Sequence, residues 1–295
     1  MKRKLSFCFI LLLLSLLISC DKGSQGGGTK TLDLGNGVSL KLIKVKPGRF
    51  QMGSPAGELG RSDDETQHWV TLTKEYWLGE TEVTQGQWKS IMEYNPSDVN
   101  KGNDYPVDSV SWEDAMKFCE KLNVGCRGKL PLGYTFSLPT EAQWEYACRA
   151  GTMTSLNNGK NVTVGESVPF GEDRKKGICM NMDDVGWYGY NYDNDPNVSD
   201  PGVSSYDKLV KKKRPNAWGF YDMHGNRSEW CRDWYDHYDG ETTDPKGPSN
   251  GLGRVLRGGS LLDPAYTCRS AARGFNKPSE RYFLFGFRLA LVPVQ

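Results

Sequence analysis

Residues 214–235 read Arg-Pro-Asn-Ala-Trp-Gly-Phe-Tyr-Asp-Met-His-Gly-Asn-Arg-Ser-Glu-Trp-Cys-Arg-Asp-Trp-Tyr, and the rest of the chain is organised around them. The stretch is aromatic-rich, and Gly225 stands in a polar turn flanked by Asp222 and Glu229. A Gly between two oxygen donors lets the backbone turn so that its carbonyls point inward. Hard cations such as Ca²⁺ take carboxylate and carbonyl oxygens from loops that bend around the ion. The residues alone leave two readings open: a turn pinned by Ca²⁺, or a surface turn with solvated carboxylates. The spacing is not that of the helix-flanked calcium loop, which on its own favours the second.

Three other stretches are as distinctive. Residues 138–151 contain Leu-Pro-Thr-Glu-Ala-Gln-Trp-Glu-Tyr-Ala, with Thr140 as a helix cap, Gln143 returning the cap and Gly151 ending the helix. Residues 254–260 read Arg-Val-Leu-Arg-Gly-Gly-Ser, in which two glycines permit close backbone approach and leave Ser260 facing outward. Cys268-Arg269-Ser270-Ala271-Ala272-Arg273 and Gly286-Phe287-Arg288 follow. With Met52–Ser54, His68, Val70, Leu72, Glu82–Thr84, Pro106-Val107 and the Ser-Trp-Glu-Asp-Ala string from Ser111, these motifs resemble the formylglycine-generating-enzyme (sulfatase-modifying-factor) family across about residues 38–293. The opening stretch is similar to that family's central motif through Asn216, Gly219, Tyr221, Asp222, Met223, Gly225, Asn226, Glu229 and Trp230.

The resemblance implies a Ca²⁺ site at Asp222, Gly225, Arg227 and Glu229, and makes the calcium reading of the turn the better one. It implies a second calcium site that begins at Asn181 and is completed by a carboxylate within residues 193–200. It also implies an oxidase that uses O₂ and Cu(I) to turn a sulfatase cysteine within Cys-x-Pro-x-Arg into formylglycine. In the family two cysteines shortly after Gly-Gly-Ser hold the copper. Here the first falls on Asp263 and the second on Cys268, with Ser260 opening the segment. A carboxylate oxygen is a hard donor and a poor partner for Cu(I). Ser228 stands where the family has a groove-lining Trp. Cys268 therefore has two roles open to it, copper ligand or disulfide and buried thiol. The chain itself has two: a catalytically silent binding or scaffold module, or a formylglycine-generating oxidase with an altered metal site. The iron-dependent sulfoxide synthases of the family carry an additional helical domain with three histidines, which this chain lacks.

The chain opens with Lys2-Arg3-Lys4, an apolar run over residues 5–18 and then Ser19-Cys20, the pattern of a bacterial lipoprotein signal. Residues 1–19 are read as the signal peptide and Cys20 as the lipidated residue, which anchors the chain to the membrane in the cell envelope. Residues 20–37 are read as a Gly- and Ser-rich tether and 38–295 as the domain. The net charge of +1, with acids and bases interspersed, points to no nucleic-acid partner. A protein or peptide ligand such as a sulfatase is the partner the resemblance implies. Outside the signal and Cys20 there are six cysteines: Cys119, Cys126, Cys148, Cys179, Cys231 and Cys268. An even number in an exported chain favours disulfides, whose pairing sequence does not choose.

Helices are expected over residues 84–94, 112–123 and 141–149, the first capped by Thr84 and the second by a Ser111–Asp114 capping box. Strand patterning covers 38–51, 68–78 and 286–289. His68 reads as a fold residue. Glu141 and Glu145 could form an acid pair at helical spacing, but read more plainly as solvated carboxylates or partners of Arg149. The expected fold is one irregular α+β domain, C-type-lectin-like by resemblance, with short helices, a small antiparallel sheet and long loops.

Overall fold

The computed structural model describes residues 19–20, 28–98, 102–165, 174–191 and 208–294. The apolar signal run and the carboxylates expected within 193–200 lie outside the described residues. No helix among those described is long and apolar enough to cross a membrane.

The largest sheet has six strands in the order β1 (Ser19–Cys20), β2 (Thr29–Asp33), β3 (Ser39–Val45), β6 (Tyr76–Gly79), β15 (Ala290–Pro293) and β7 (Tyr134–Ser137). A three-stranded sheet runs β11 (Thr242–Thr243), β5 (His68–Leu72), β4 (Gly48–Met52). A four-stranded sheet runs β13 (Arg273–Asn276), β12 (Arg254–Arg257), β10 (Ser228–Trp234), β14 (Phe285–Gly286), and β8 (Gly186–Trp187) pairs with β9 (His224–Gly225). The mixed α+β class is as expected. One small antiparallel sheet is not what forms, because several β10, β5 and β8 pairings are parallel: β10 with β14, β11 with β5 and β8 with β9. β2 also extends the sheet ahead of residue 38: Lys30 lies opposite Leu42, and Leu32 opposite Leu40. Leu32, Leu40 and Leu42 are all buried, so part of the stretch read as tether contributes to the core.

The three expected helices form as α1 (Gln85–Met92), α2 (Trp112–Gly125) and α3 (Glu141–Arg149). Each starts on a reciprocal capping box: Thr84 with Gln87, Ser111 with Asp114 and Thr140 with Gln143. Such boxes satisfy two amide donors that the first turn leaves open. α3 ends on Ala150 in the left-handed region, with Gly151 following at φ 93°. α4 (Met180–Asp183) is a single short turn.

The α1–α2 pair covers one face of the six-stranded sheet. Trp88 stacks on Phe118 with centroids 5.5 Å apart, and both meet Phe287 edge-on. A second core, around Trp144, Phe220, Val70, Leu78 and Val255, joins α3 to the other sheets. The disulfide expectation is corrected here: none of the six cysteines is in a disulfide, and all are buried. They divide among three cores, Cys119 with Cys126, Cys148 with Cys231, and Cys179 with Cys268. Each thiol packs as a small apolar group. Cys148 Sγ points to Ser270 Oγ at 3.6 Å and Met223 O at 3.8 Å.

Candidate calcium turn and substrate groove

The backbone from Asp222 into the β9–β10 turn repeatedly enters the left-handed region. Asp222, Gly225 and Asn226 have φ of 55°, 81° and 61°. At Gly225 nothing larger fits: a Cβ would lie 1.7 Å from Trp187 O, on the paired strand β8. The turn is not a solvated one, since Asp222, Asn226 and Glu229 are all buried.

Three buried carboxylates lie under it and repel one another. Glu229 accepts from Arg288 Nε at 2.6 Å and Nη2 at 2.5 Å, and from Trp144 Nε1 at 2.7 Å. Glu82 accepts from Arg227 N at 2.9 Å and Asn226 Nδ2 at 3.0 Å. Asp222 Oδ2 accepts from Lys211 N at 2.9 Å, while its Oδ1 is buried without a hydrogen-bond partner. Asn226 Oδ1 is in the same condition. Burial, with Glu229 adding repulsion, pushes the Asp222 carboxyl up to about 6 even though Lys211 N and Arg288 oppose it. Burial, then the charges of Asp222 and Glu229, push Glu82 well above the usual carboxylate range. Two orphaned oxygens and a turned main chain are donors of the kind a hard cation takes. Arg288 supplies buried countercharge to these carboxylates, with Nη2 also donating to Tyr221 O at 3.1 Å.

Asn181, the residue expected to open a second site, lies on α4. Its Nδ2 donates to Asn161 O at 2.8 Å, and its carbonyl accepts from Asn158 Nδ2 at 2.7 Å. The carboxylate expected to complete its site lies outside the described residues. Among the described residues, no three His, Cys, Asp or Glu side chains gather into a ligand set.

The Gly258–Ser260 segment folds over Cys268. A Cβ on Gly259 would lie 2.6 Å from Cys268 Sγ, so the glycine is required by close approach. Ser260 does not face outward, as expected, but is buried. The reason is Asp263, whose Oδ2 accepts from Ser260 N at 2.8 Å and Ser260 Oγ at 2.7 Å, closing a tight polar turn. Cys268 Sγ lies 3.6 Å from Ser260 O, to which it donates, and burial followed by the Asp263 charge pushes its thiol well up. A neutral thiol and a hard carboxylate already held by a serine do not fit Cu(I). His224 supports the segment from below. Its Nδ1 donates to Cys268 O at 2.7 Å, and its Nε2 accepts from Asn157 N at 3.0 Å. The carbonyl only accepts, so the ring is the neutral Nδ1–H tautomer.

Above Ser260 a cleft of about 340 Å³ is lined by Ser228, Ser260, Asp263, Tyr282, Leu284 and Phe285. It brings three sequence-singled positions together: the Ser in place of a groove Trp, the Gly-Gly-Ser serine and the Asp in place of a copper Cys. Glu141 and Glu145 are elsewhere and neither is a solvated acid pair. Both are buried: Glu145 pairs with Arg149 at 2.8 Å and with Arg257, and Glu141 with Arg273 at 2.7 Å. His68 Nδ1 bonds Thr66 O at 2.9 Å and its ring packs on Tyr238, a role in the fold. Sequence reasoning assigned no role to Glu82, Asn226 or Arg288. Each lay inside a recognised motif, but a buried countercharge is visible only once the strands are paired.

This constellation of turn, Gly-Gly-Ser loop and groove defines a formylglycine-generating-enzyme-like domain. Residues 38–292 match the family described as sulfatase-modifying factor enzyme 1-like domain, and the chain belongs to it. Chaperone protein LppX of Paenibacillus barcinonensis is 28% identical over 300 residues, covering 90% of this chain and 91% of that one. The formylglycine-generating enzyme of Streptomyces coelicolor is 30% identical over 277 residues, covering 90% of this chain and 72% of that enzyme. Among solved structures, Treponema denticola variable protein 1 superposes with a TM-score of 0.69 at 28% identity, covering 90% of this chain and 99% of that one.

Proposed function

We propose that this chain is a lipid-anchored cell-envelope member of the family that binds a protein or peptide in the Ser228–Ser260–Asp263 groove without running the copper oxidation. One observation carries the reading: Asp263 spends its carboxylate on Ser260 at the position where a second thiolate would be needed. The neutral, buried Cys268 thiol beside it adds support. A likeness over nearly the full length to a protein named a chaperone is compatible with a non-enzymatic module. Within this reading Cys20 carries the lipid, and the fold belongs with the C-type-lectin-like domains.

The test is to incubate reduced protein, Cu(I) and a Cys-x-Pro-x-Arg peptide in air and to weigh the peptide. The expected result is unchanged mass and no stoichiometric tight copper. Thiol-to-aldehyde conversion that disappears in Cys268→Ser would overturn the proposal. The identity to the Streptomyces coelicolor enzyme is the observation that keeps this oxidase reading in view.

Calcium is proposed to be structural, held by Asp222 and Glu229 with the Gly225 and Arg227 carbonyls, and at a second site by Asn181. Ca²⁺ at a hundredfold over its Kd should stabilise the fold by about 2–3 kcal/mol. Asp222→Ala should remove most of that gain, read as the melting temperature with and without Ca²⁺. A gain that survives both Asp222→Ala and Glu229→Gln would place the ion elsewhere.

A further inference from the structure

A second cavity, of about 250 Å³, shares no lining residue with the groove. It forms where four elements begin or end. β10 brings Asp233 near its close, α3 its first residue Glu141, β5 its first residue His68 and β13 its first residue Arg273. Residues between 236 and 248 make the outer wall. That wall is pinned to β5 and the chain just beyond it. Thr242 pairs with Val70, Asp244 N donates to Thr71 O at 2.9 Å, and Asp244 Oδ1 accepts from Thr73 N at 2.8 Å.

The charges on the inner wall are not balanced. Arg273 gives two parallel bonds to Glu141, Nε to Oε1 at 2.7 Å and Nη2 to Oε2 at 2.9 Å. Tyr238 OH adds a bond to Glu141 Oε1 at 3.0 Å, and its ring lies 3.9 Å from the Arg273 guanidinium. Glu141 and Arg273 therefore spend their charges on each other. Asp233 has no such partner. It is 4% exposed, and its Oδ2 accepts from Glu141 N at 3.0 Å. Among the described residues no side chain donates to this carboxyl. Burial, then the Glu141 charge, raises it to about 7 against the pull of Arg232. His68 is 9% exposed and is also used on one side only. Its Nδ1 donates to Thr66 O at 2.9 Å, which leaves Nε2 of the neutral ring as an acceptor. Asp236 and Asp239 stand exposed at the mouth. Lys246 is exposed there too and, among the described residues, forms no ion pair with them.

A buried carboxyl without a countercharge, beside a second acceptor, calls for a ligand that brings donors and positive charge. One Asp233 oxygen is already taken by the α3 amide. The residue therefore offers a point contact, not the two-oxygen face that a guanidinium fork matches. An ammonium is a compact charge with three donors. The volume lies below the ~300–1,000 Å³ of sites for drug-sized ligands, and suits a short alkylamine or one lysine side chain. We propose that the cavity binds a primary ammonium group, held by the Asp233 carboxylate and His68 Nε2. Asp236 and Asp239 draw the cation to the mouth. The site is separate from the groove and does not depend on what the groove binds.

The experiment titrates the full chain, above neutral pH, with n-butylamine, its neutral isostere n-butanol and a capped peptide holding one lysine. Binding is read by ligand-observed NMR. n-Butylamine should bind at least about thirtyfold more tightly than n-butanol, as the pairing of a buried charge implies. Asp233→Asn should abolish that preference, with its melting temperature showing that it is folded. His68→Phe keeps a ring against Tyr238 and should weaken the amine by about tenfold, the loss of one bond to a charged group. A lysine peptide that binds at least as tightly as butylamine supports the proposal with a protein side chain as the source. Butylamine that binds where the peptide does not supports it with a free amine as the source. The proposal is overturned if butanol binds as well as butylamine, or if Asp233→Asn takes the amine as well as the native chain does. It is overturned equally if neither the amine nor the peptide binds at millimolar concentration.

Discussion

Arg288→Met is expected to lower the free energy of unfolding by about 3–5 kcal/mol, the range found when one partner of a buried ion pair is removed. Arg288 is fully buried, and its guanidinium serves Glu229 at 2.6 and 2.5 Å, Gly79 O at 3.1 Å and Tyr221 O at 3.1 Å. Met keeps most of the volume but leaves the Glu229 carboxylate with Trp144 as its remaining side-chain donor, beside Glu82 and Asp222. The chemical-denaturation midpoint, followed by tryptophan fluorescence, should fall without a change in slope. Pairing Arg288→Met with Glu229→Gln should restore part of the loss, because the uncompensated charge is then gone. On the calcium reading proposed above, added Ca²⁺ should reduce the loss in the single variant. A cost below about 1 kcal/mol would show that the arginine is dispensable, as surface ion pairs often are.

The second large effect is a response to pH with two opposing arms. His224 is fully buried, and burial first, with Arg149 adding to it, lowers its pKa from 6.5 to about 4. The unfolded chain then binds the proton more readily than the folded one between those values. Stability contributed by the neutral ring is present above pH 6.5 and is lost as pH falls toward 4, a loss of about 3 kcal/mol. Asp233 acts in the other direction. Burial, then the Glu141 charge, raises its carboxyl from 3.8 to about 7. A raised carboxyl costs the fold at alkaline pH and is relieved as pH falls through 7. His224→Gln should therefore flatten the loss between pH 6.5 and 4, after whatever it costs at pH 7.5. Asp233→Asn should gain stability above pH 7, since an amide oxygen can still accept from Glu141 N. Denaturation midpoints at several pH values separate the arms. An unchanged acid limb in His224→Gln would remove the histidine from the account.

Much of this was legible before any coordinates. Capping boxes are short-range chemistry, so Thr84, Ser111 and Thr140 marked the helix starts correctly. The motifs singled out Ser228, Ser260 and Asp263 separately, and only the fold brings them to one cleft. What failed were inferences that needed long-range partners. The Glu145–Arg149 pair was legible at helical spacing, but the burial of both carboxylates was not, because β12 and β13 bring Arg257 and Arg273 over them. Ser260 looks exposed until Asp263 turns back on it. An even cysteine count suggested bridges, yet apolar burial in separate cores accounts for the thiols without them. β2 was hidden because a Gly-rich lead-in masks the short alternation that follows it.

The position of β15 has a consequence for how the molecule is made. This last strand is inserted between β6 and β7, and the nearby β14 closes the four-stranded sheet against β10. A chain emerging from its front end would therefore wait, with an open seam between β6 and β7, until β15 arrives. Closure across such sequence separations is slow. Removal of β15 should leave a product that collapses and clumps instead of a smaller working domain.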